Sequence, residues 1–338
     1  MKISSFAKKN LSLLAVAPAF CVAAFLAGCN PDLRGVGHNA VGGAAEAAPE
    51  ADGARTAPES GDGVRIAAWN MKWFPSGHPV LRDEDRNARQ EYKRIDSAAR
   101  FIAWQRADVV MLEEVRNREV CEALCENEAL PGWSVSAVTA FAAAKDATIP
   151  PHQNAIVSRF APLDAGWQRW KADGDVTPPR GFVWAVFDFN GTLCGVIGVH
   201  LKSNYIPQDA EDKESLPAQN RRMREASARQ LAAFARELLG RDYSGRRVAE
   251  VVVGGDFNTS IFDSRYDGER TIPEMLSAGF ADCFDGVMER NTMPESKWYP
   301  ATCFDYLFAK GPAEFFGPVV APKSWTSDHQ MISAIFAF

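Results

Sequence analysis

The chain has 338 residues, of which 46% are hydrophobic and 24% are charged, as is ordinary for a globular protein. Its formal net charge is -6, and about -5 of this charge falls on residues 63–338. The protein therefore lacks the overall positive field that holds nucleic acid non-specifically, and a polyanionic substrate would need a local basic patch or a bound metal ion.

The first 28 residues predict an export signal. Lysines precede an apolar run at residues 11–26 that is too short and too rich in alanine to span a membrane comfortably. The run ends in Leu-Ala-Gly-Cys, which resembles the lipobox of bacterial lipoproteins. The resemblance implies lipidation of Cys29 and a lipid-anchored protein of the cell envelope, in the outer membrane because Asn30 follows the cysteine. The alternative is an ordinary secretory signal and a secreted or periplasmic protein.

Residues 29–62 are expected to form a flexible tether between the acylated cysteine and a folded domain. Gly, Ala, Pro and scattered charges dominate this segment, and no hydrophobic periodicity extends through it. A single folded domain is therefore expected over residues 63–338.

The spacing of apolar residues predicts most elements of this domain. The predicted helices cover residues 86–106, 218–239 and about 269–278, with a short helix around Cys121 and Cys125. The predicted strands cover residues 64–70, 108–112, 133–138, 154–158, 182–189, 193–199, 251–253, 304–309, 315–321 and 332–338. Because strands outnumber helices and hairpins mix with crossovers, we expect an α+β fold with two mixed sheets packed face to face and helices outside.

Two neighbouring glutamates, Glu113 and Glu114, follow the strand at residues 108–112. Side chains alternate between the two faces of a strand, so only one of the pair can point to a given face. One glutamate is therefore a candidate ligand, and the other is expected to be a surface carboxylate.

The segment at residues 251–260 carries the most informative single pattern. Three valines predict a strand buried on both faces, and Gly254 and Gly255 then permit a sharp turn. Asp256 and Asn258 follow two residues apart, so both side chains can point the same way. A carboxylate beside a carboxamide suits a divalent cation next to a phosphate, although this motif alone is equally consistent with a polar turn.

Polar residues lie at the ends of several predicted strands, and their order along the chain is informative. They are Asn70, Glu114, His200, Asp256 with Asn258, Asp305, and Asp328 with His329. This ordered set resembles the endonuclease/exonuclease/phosphatase superfamily, and the opening Ile-Ala-Ala-Trp-Asn-Met-Lys and the motif Val-His-Leu-Lys-Ser resemble its deoxyribonuclease I-like branch. The resemblance implies a four-layer α/β sandwich, in which two packed mixed β-sheets are flanked by helices.

A divalent cation is implied by the same resemblance. Glu114 would coordinate the ion, Asn70 would help to place it beside the scissile phosphate, and Asp328 would complete the shell of metal or water ligands. Mg²⁺ is expected because it is suited to carboxylate oxygen, with Mn²⁺ or Ca²⁺ as alternatives.

The resemblance also assigns proton transfers and contacts with phosphate. His329 would act as a general acid/base, with Asp305 as the carboxylate that holds its tautomer. Asp256 would orient or deprotonate the attacking water, Asn258 would donate to a non-bridging phosphate oxygen, and His200 would donate to the phosphate as negative charge develops.

Arg180 and Lys202 are further candidates for binding phosphate. In the deoxyribonuclease I-like branch, a glutamate supports the histidine equivalent to His200. At the matching position this chain has Gln153, which could hold the imidazole by a hydrogen bond but would stabilise its charged form less well. The adjacent His152 is expected to be a structural residue.

Five cysteines remain in the expected domain. The resemblance implies a disulfide between Cys283 and Cys303. Cys121 and Cys125 could form a second one if their helix permits, and Cys194 is expected to be a buried free thiol.

These observations predict a metal-dependent phosphodiesterase, in the first place a low-specificity endonuclease that hydrolyses nucleic acid outside the cytoplasm. A phosphatase or lipid phosphodiesterase of the same superfamily is one alternative, and a lipoprotein that binds without turnover is another. The arginines at residues 221–236 form the densest basic cluster, where a nucleic-acid backbone could lie, or else they are solvated surface charge.

Overall fold

The computed structural model describes residues 63–80, 85–142, 151–210, 212–296 and 300–338. The segment for which the sequence predicts an export signal, lipidation at Cys29 and a tether lies outside these residues. Among the helices within the described ranges, none is long and apolar enough to cross a membrane.

The described part of the chain contains both strands and α-helices. Its strands are β1 (Val64–Phe74), β2 (Val109–Val115), β3 (Ser134–Val138), β4 (Gln153–Ser158), β5 (Asp164–Arg169), β6 (Gly181–Phe189), β7 (Thr192–His200), β8 (Asp242–Tyr243), β9 (Arg246–Asp256), β10 (Ala281–Asp282), β11 (Asp305–Lys310), β12 (Glu314–Val320) and β13 (Ile332–Ala337). Its α-helices are α1 (Ala88–Trp104), α2 (Arg118–Cys125), α3 (Leu216–Leu238) and α4 (Thr271–Ser277).

These strands form two mixed sheets. The first has the order β12-β13-β1-β2-β4-β3, and the second has the order β10-β11-β9-β7-β6-β5, with β8 beside β9. Each sheet contains one parallel pair, β1 with β2 and β7 with β9. Parallel pairing brings the carboxyl ends of the paired strands to the same edge of their sheet, and these are the ends where the sequence places its polar residues.

The sheets pack face to face and the helices cover their outer faces, which confirms the predicted four-layer fold. The core between the sheets includes Ile66 and Met111 from the first sheet and Val196 and Val252 from the second. α1 and α2 pack on the outer face of the first sheet, and α3 and α4 pack on the outer face of the second.

Two glycines allow close packing near the end of β9, Gly254 against the opposite sheet and Gly255 against the neighbouring strand β7. A Cβ atom on Gly254 would lie 2.5 Å from Cε of Met111 in the opposite sheet. Gly255 has φ +136°, and a Cβ atom there would lie 2.0 Å from the carbonyl oxygen of Val199. Glycine is needed at both positions, and the close packing brings Asp256 next to Asn70 of β1.

The predicted helices differ from the observed ones mainly at their ends. α1 begins after Asn87, whose side chain accepts a hydrogen bond from the backbone N–H of Gln90 and caps the helix. α3 begins at Leu216, earlier than predicted, because Pro217 is tolerated in the first turn of a helix.

The expected disulfides are not formed, since all five cysteines within the described ranges are buried free thiols. Cys283 packs in the core between the sheets, whereas Cys303 packs in the core beneath α3 and α4. Cys121 and Cys125 both lie on α2 and pack against the outer face of the first sheet. Cys194 is a buried thiol, as predicted.

Candidate active site

The two parallel strand pairs bring the polar strand ends together at one edge of the sandwich. Asn70, where the regular pairing of β1 with β2 ends, is paired with Glu113 of β2, and His200 at the end of β7 is paired with Asp256 of β9. Asp305 at the start of the antiparallel strand β11 also pairs with Asp256.

Asn70 joins the two sheets at this edge. Its amide nitrogen Nδ2 lies 3.0 Å from Oδ2 of Asp256 and 3.3 Å from Oε1 of Glu114. Its Oδ1 accepts a hydrogen bond from the backbone N–H of Lys72 at 3.0 Å. Asn70 thus donates to two carboxylates that face each other across the interface between the sheets.

The backbone of Glu114 explains how both neighbouring glutamates come close to the site. Glu114 has φ +58°, which is unusual for a residue other than glycine, and the pairing of β2 with its neighbours shifts in register here. The irregularity breaks the alternation of side chains. The Glu114 carboxylate is held by the backbone N–H of Trp73, 3.1 Å from Oε2.

Glu113 is completely buried, so the expectation of one surface carboxylate in this pair is wrong. Neither of its oxygens has a hydrogen-bond partner in the described part of the chain. Burial raises the pKa of Glu113 well above its ordinary value, and the charges of Asp305 and Asp256 add to this effect. Glu113 therefore favours its protonated, neutral form more than an ordinary glutamate does.

His329 and Asp305 form a directly bonded pair. Nδ1 of His329 lies 2.8 Å from Oδ2 of Asp305, which leaves Nε2 to face Oδ2 of Asp256 at 3.9 Å. Burial acts to lower the pKa of His329, but the carboxylates of Asp305, Asp256 and Asp328 outweigh it and raise the pKa well above its ordinary value. His329 is thus a charged imidazolium held in one orientation.

The loop that carries His329 is fixed to the first sheet. Nε1 of Trp69 donates to the backbone oxygen of His329 at 3.1 Å, and Oγ of Ser327 donates to the backbone oxygen of Asn70 at 2.6 Å. Arg94 of α1 donates to the backbone oxygen of Thr326 in the same loop.

Asp256 lies at the centre of the cluster. One of its oxygens accepts from the backbone N–H of Asn258 at 2.8 Å, and the other lies 3.6 Å from Nε2 of His200. Burial raises the pKa of Asp256 and the charge of Asp305 adds to this, against the opposing charge of His329. A carboxylate with a raised pKa is a stronger base than an ordinary aspartate.

Asn258 lies in a turn next to Asp256, with φ +53° and its side chain largely buried. Its Nδ2 lies 3.4 Å from the backbone oxygen of Leu201, and its own backbone oxygen accepts from Nδ2 of Asn204 at 2.8 Å. These contacts join the turn after β9 to the segment after β7.

His200 is held without a carboxylate partner at hydrogen-bond distance within the described residues. Burial, followed by the charge of Arg180, lowers the pKa of His200 well below its ordinary value, so its imidazole is neutral. Gln153 does not support it: the Gln153 amide bonds Oγ1 of Thr139 and the backbone N–H and oxygen of Phe141 instead. The predicted contact between Gln153 and His200 is wrong, because Gln153 is used to hold the segment after β3.

Arg180 and Lys202 lie beside His200, but their charged groups contact the backbone. Nε of Arg180 donates to the backbone oxygen of His200 at 3.2 Å, and its Nη2 donates to that of Leu201 at 2.6 Å. Nζ of Lys202 donates to the backbone oxygen of Ser203 at 2.9 Å. Burial, with the charges of Arg180 and Arg224, lowers the pKa of Lys202 to about 8.

Asp328 lies on the partly exposed side of the cluster. Its carboxylate is 2.8 Å from Nζ of Lys72. Burial acts to raise the pKa of Asp328, but the charges of His329 and Lys72 lower it below its ordinary value. The structure therefore pairs Asp328 with a lysine, whereas Glu114 and Asp256 converge on Asn70.

His152 belongs to the site, although the sequence indicated only a structural role. Its Nδ1 lies 3.4 Å from Oε2 of Glu114, and its ring meets the ring of Trp73 edge-on with centroids 3.6 Å apart. The signal that could have found it is topological: β4 pairs antiparallel with β2, so the start of β4 lies beside the end of β2.

Residues 67–329 match the model of the endonuclease/exonuclease/phosphatase family. The chain belongs to this family. Its members are phosphoester hydrolases that depend on divalent metal ions.

Solved structures with the same fold include other members of the family. A family protein from Leptotrichia buccalis has 16% sequence identity and a TM-score of 0.54, covering 81% of this chain and 100% of its own. Humanized D. rerio TDP2 has 16% identity and a TM-score of 0.55, covering 82% and 100%. D. rerio TDP2 complexed with a single-strand DNA product has 16% identity and a TM-score of 0.52, covering 81% and 99%. No curated protein sequence matches the chain.

The donors at the site fit the divalent ion on which the family depends. Carboxylate oxygens of Glu114 and Asp256 both lie within hydrogen-bond distance of the Asn70 amide nitrogen, and carboxylate oxygen is the kind of ligand that a divalent cation such as Mg²⁺ prefers. Asn70 donates to these carboxylates through nitrogen, which makes it a residue that orients the ligands in this arrangement.

Proposed function

We propose that the protein hydrolyses phosphodiester bonds in nucleic acid as a low-specificity endonuclease, with a preference for single strands. The observation that carries this proposal is the pairing of a charged histidine, His329, with a basic carboxylate, Asp256, at 3.9 Å. Hydrolysis of a diester needs a base for the attacking water and an acid for the leaving oxygen, and these two groups can supply both.

The proton transfers balance over these residues. Asp256 accepts a proton from water as the new P–O bond forms, and Nε2 of His329 donates a proton to the leaving oxygen as the old P–O bond breaks. Asp305 accepts a hydrogen bond from Nδ1–H of His329, so the ring is oriented with Nε2 facing the site. Asn258 and the neutral His200 border the same region, where they are available to a phosphate oxygen or to a metal ion. A bound divalent cation supplies positive charge to the phosphate.

The arginines of α3 are less available to bind phosphate groups than the sequence suggested, because most of them form ion pairs. On α3, Arg222 lies 3.1 Å from Asp175, and Arg229 lies 2.6 Å from Asp173. Arg224 forms a buried pair with Glu269 at 2.6 Å. Because these arginines are paired with acids, α3 is a poor surface for gripping duplex DNA by charge alone.

Exposed aromatic side chains on the loops of the site favour single strands instead. Tyr205, Phe262 and Trp325 are 49%, 60% and 59% exposed. They lie on the loops that carry His200, Asn258 and Asp328, each within five residues of one of them. Unpaired bases stack on such side chains without regard to sequence. The single-strand DNA product bound by the structurally similar D. rerio TDP2 is consistent with this choice.

We also propose that Mg²⁺ is the ion held by Glu114 beside Asn70, because carboxylate oxygens are its usual protein ligands. For the chain outside the described residues, the lipobox-like segment at residues 26–29 supports a lipid anchor at Cys29 and a place in the outer membrane. Acylation and membrane attachment that persisted in Cys29→Ala would contradict the anchor.

Substrate class can be tested by incubating the purified protein with circular single-stranded DNA, plasmid DNA, RNA and a phosphate monoester, each with Mg²⁺ or EDTA. We expect metal-dependent cleavage that is fastest on single-stranded DNA or RNA. Release of phosphate from the monoester alone would indicate a phosphatase and overturn the proposal. Binding of Mg²⁺ without cleavage of any substrate would indicate a binding module.

A further inference from the structure

Glu114, His152 and His200 form a cluster of side chains that could hold a metal ion. One ligand atom from each lies within 4.8 Å of the other two. Nδ1 of His152 is 3.4 Å from Oε2 of Glu114, and Nε2 of His200 is 4.0 Å from Oε1. The carboxylate therefore presents a different oxygen to each imidazole.

Both imidazoles have buried nitrogens that the described protein atoms leave without a hydrogen-bond partner. This holds for Nδ1 and Nε2 of His152 and for Nδ1 of His200. Buried polar atoms are nearly always hydrogen-bonded in folded proteins, so a buried nitrogen without a partner indicates that a ligand or ion belongs beside it. A cation between Nδ1 of His152 and the Glu114 carboxylate would supply that partner for Nδ1 of His152.

We propose that Glu114, His152 and His200 form a second metal site, which binds a transition-metal dication of the Zn²⁺ class beside the Mg²⁺ site. Two imidazoles and one carboxylate are a ligand set that zinc takes in catalytic sites, with a further position left open. Ligand atoms bound to zinc at about 2.1 Å are about 3.4 Å apart in tetrahedral geometry, so small side-chain rotations would complete the site.

Neighbouring residues support this geometry. The backbone N–H of Trp73 donates to Oε2 of Glu114, and the Trp73 ring packs edge-on against His152. The rings of His152 and His200 lie 6.2 Å apart between their centroids with an angle of 33° between their planes. Both imidazoles are therefore held by packing on the same side of the carboxylate, as residues around metal ligands commonly ensure.

The inference deepens the proposed function, because it places a second metal ion at the same site, but its test does not require activity. Co²⁺ takes the same ligands as Zn²⁺ and reports nitrogen coordination by its visible absorption. The purified protein is titrated with Co²⁺ while Mg²⁺ is kept in excess, and Zn²⁺ is then added as a competitor. His152→Ala and His200→Ala are compared with His78→Ala, which removes a histidine outside the cluster.

We expect one Co²⁺ per chain in the presence of Mg²⁺, displaced by Zn²⁺. Its affinity should fall at least about tenfold in His152→Ala and in His200→Ala and stay unchanged in His78→Ala. Far-UV circular dichroism establishes that the variants are folded, and His152→Gln serves as a second variant that keeps the size of the side chain. Co²⁺ binding that is abolished by Mg²⁺, or that persists in His152→Ala and His152→Gln, would overturn the proposal. If the metal binds as expected and no diester is cleaved, only the proposed function fails.

Discussion

His329 and His200 both lie near Asp256, yet they differ in charge. His329 bonds directly to Asp305, and three carboxylates hold its pKa well above its ordinary value. His200 is buried near Arg180, and its pKa is well below its ordinary value. The imidazolium of His329 can donate a proton to a leaving group. The neutral imidazole of His200 can only accept a hydrogen bond at one nitrogen and donate one from the other.

Replacing Asp305 with asparagine should weaken the acid. The substitution removes the principal charge that raises the pKa of His329, so the imidazolium should be lost at a lower pH. We expect the alkaline limb of the kcat/KM profile to move to lower pH, and turnover at pH 8 to fall roughly 10²-fold. A profile measured from pH 5 to 10 on a chromogenic phosphate diester checks this, with Asp188→Asn at the far end of β6 as the control. An unchanged alkaline limb would show that His329 is not the acid.

Site residues could be predicted from sequence where local pattern and chain order decide their place. Asp256 follows three valines and two glycines, and such a segment has few alternatives to a buried strand and a turn. Glu113 and His152 could not be placed in this way. Glu113 continues the inward alternation of Val109 and Met111, while the left-handed backbone of Glu114 turns the second glutamate towards the site. The position of His152 depends on the pairing of β4 with β2.

At the level of elements, β9 carries a second buried carboxylate, Glu250, which lies far from the candidate active site and stabilises a turn. Glu250 is fully buried, and its Oε2 accepts from the backbone N–H of Ala313 at 2.9 Å, which holds the turn between β11 and β12. A Cβ atom on Gly311 in that turn would lie 2.1 Å from the same oxygen. Burial raises the pKa of Glu250 from 4.5 to about 6.

The raised pKa makes stability depend on pH in a defined window. The folded state holds the Glu250 proton more tightly than the unfolded state, so the free energy of unfolding should fall as the pH rises from 4.5 to about 6. The loss should be about 2 kcal/mol and should stay constant at higher pH. Glu250→Gln cannot ionise and should lack this component.

Urea unfolding between pH 4 and 7.5 measures the effect as the difference between the wild-type protein and Glu250→Gln. Glu237→Gln, an exposed substitution on α3, controls for the loss of a negative charge. The same pH dependence in all three proteins would contradict the assignment.

Elements that the sequence did not predict lie mostly at the edges of the sheets. β5 reads Asp-Ala-Gly-Trp-Gln-Arg and has no buried residue, so no apolar pattern marks it. β8 and β10 are only two residues long. Buried central strands, in contrast, are rich in valine and isoleucine and could be recognised from composition alone.

For the molecule as a whole, charge and exposed apolar surface indicate different ways of holding a substrate. The net charge of residues 63–338 is about -5, and most of the arginines on α3 are paired with acids. Aromatic side chains on the loops of the site are left exposed. Stacking, worth about 1–3 kcal/mol per base, is therefore expected to contribute more than bulk charge.

Removing these aromatic side chains should weaken binding of single strands in particular. We expect Phe262→Ala and Trp325→Ala each to raise the Kd for a fluorescent single-stranded oligonucleotide by about 5- to 150-fold, as the loss of one stacked base predicts. Trp104→Ala is a matched control, because Trp104 is 52% exposed but lies at the end of α1. Fluorescence anisotropy gives the affinities, and equal losses in all three variants would contradict a stacking role.

Acid/base catalysis by His329 in a metal-dependent diesterase is tested most directly by its removal. Turnover of a chromogenic phosphate diester is measured for the wild-type protein, His329→Ala and His78→Ala, with Mg²⁺ and then with excess EDTA. We expect wild-type turnover that EDTA abolishes, a loss of about 10²- to 10⁴-fold in His329→Ala, and normal turnover in His78→Ala. Near-normal turnover by His329→Ala, or turnover that survives EDTA, would contradict the mechanism derived from this site.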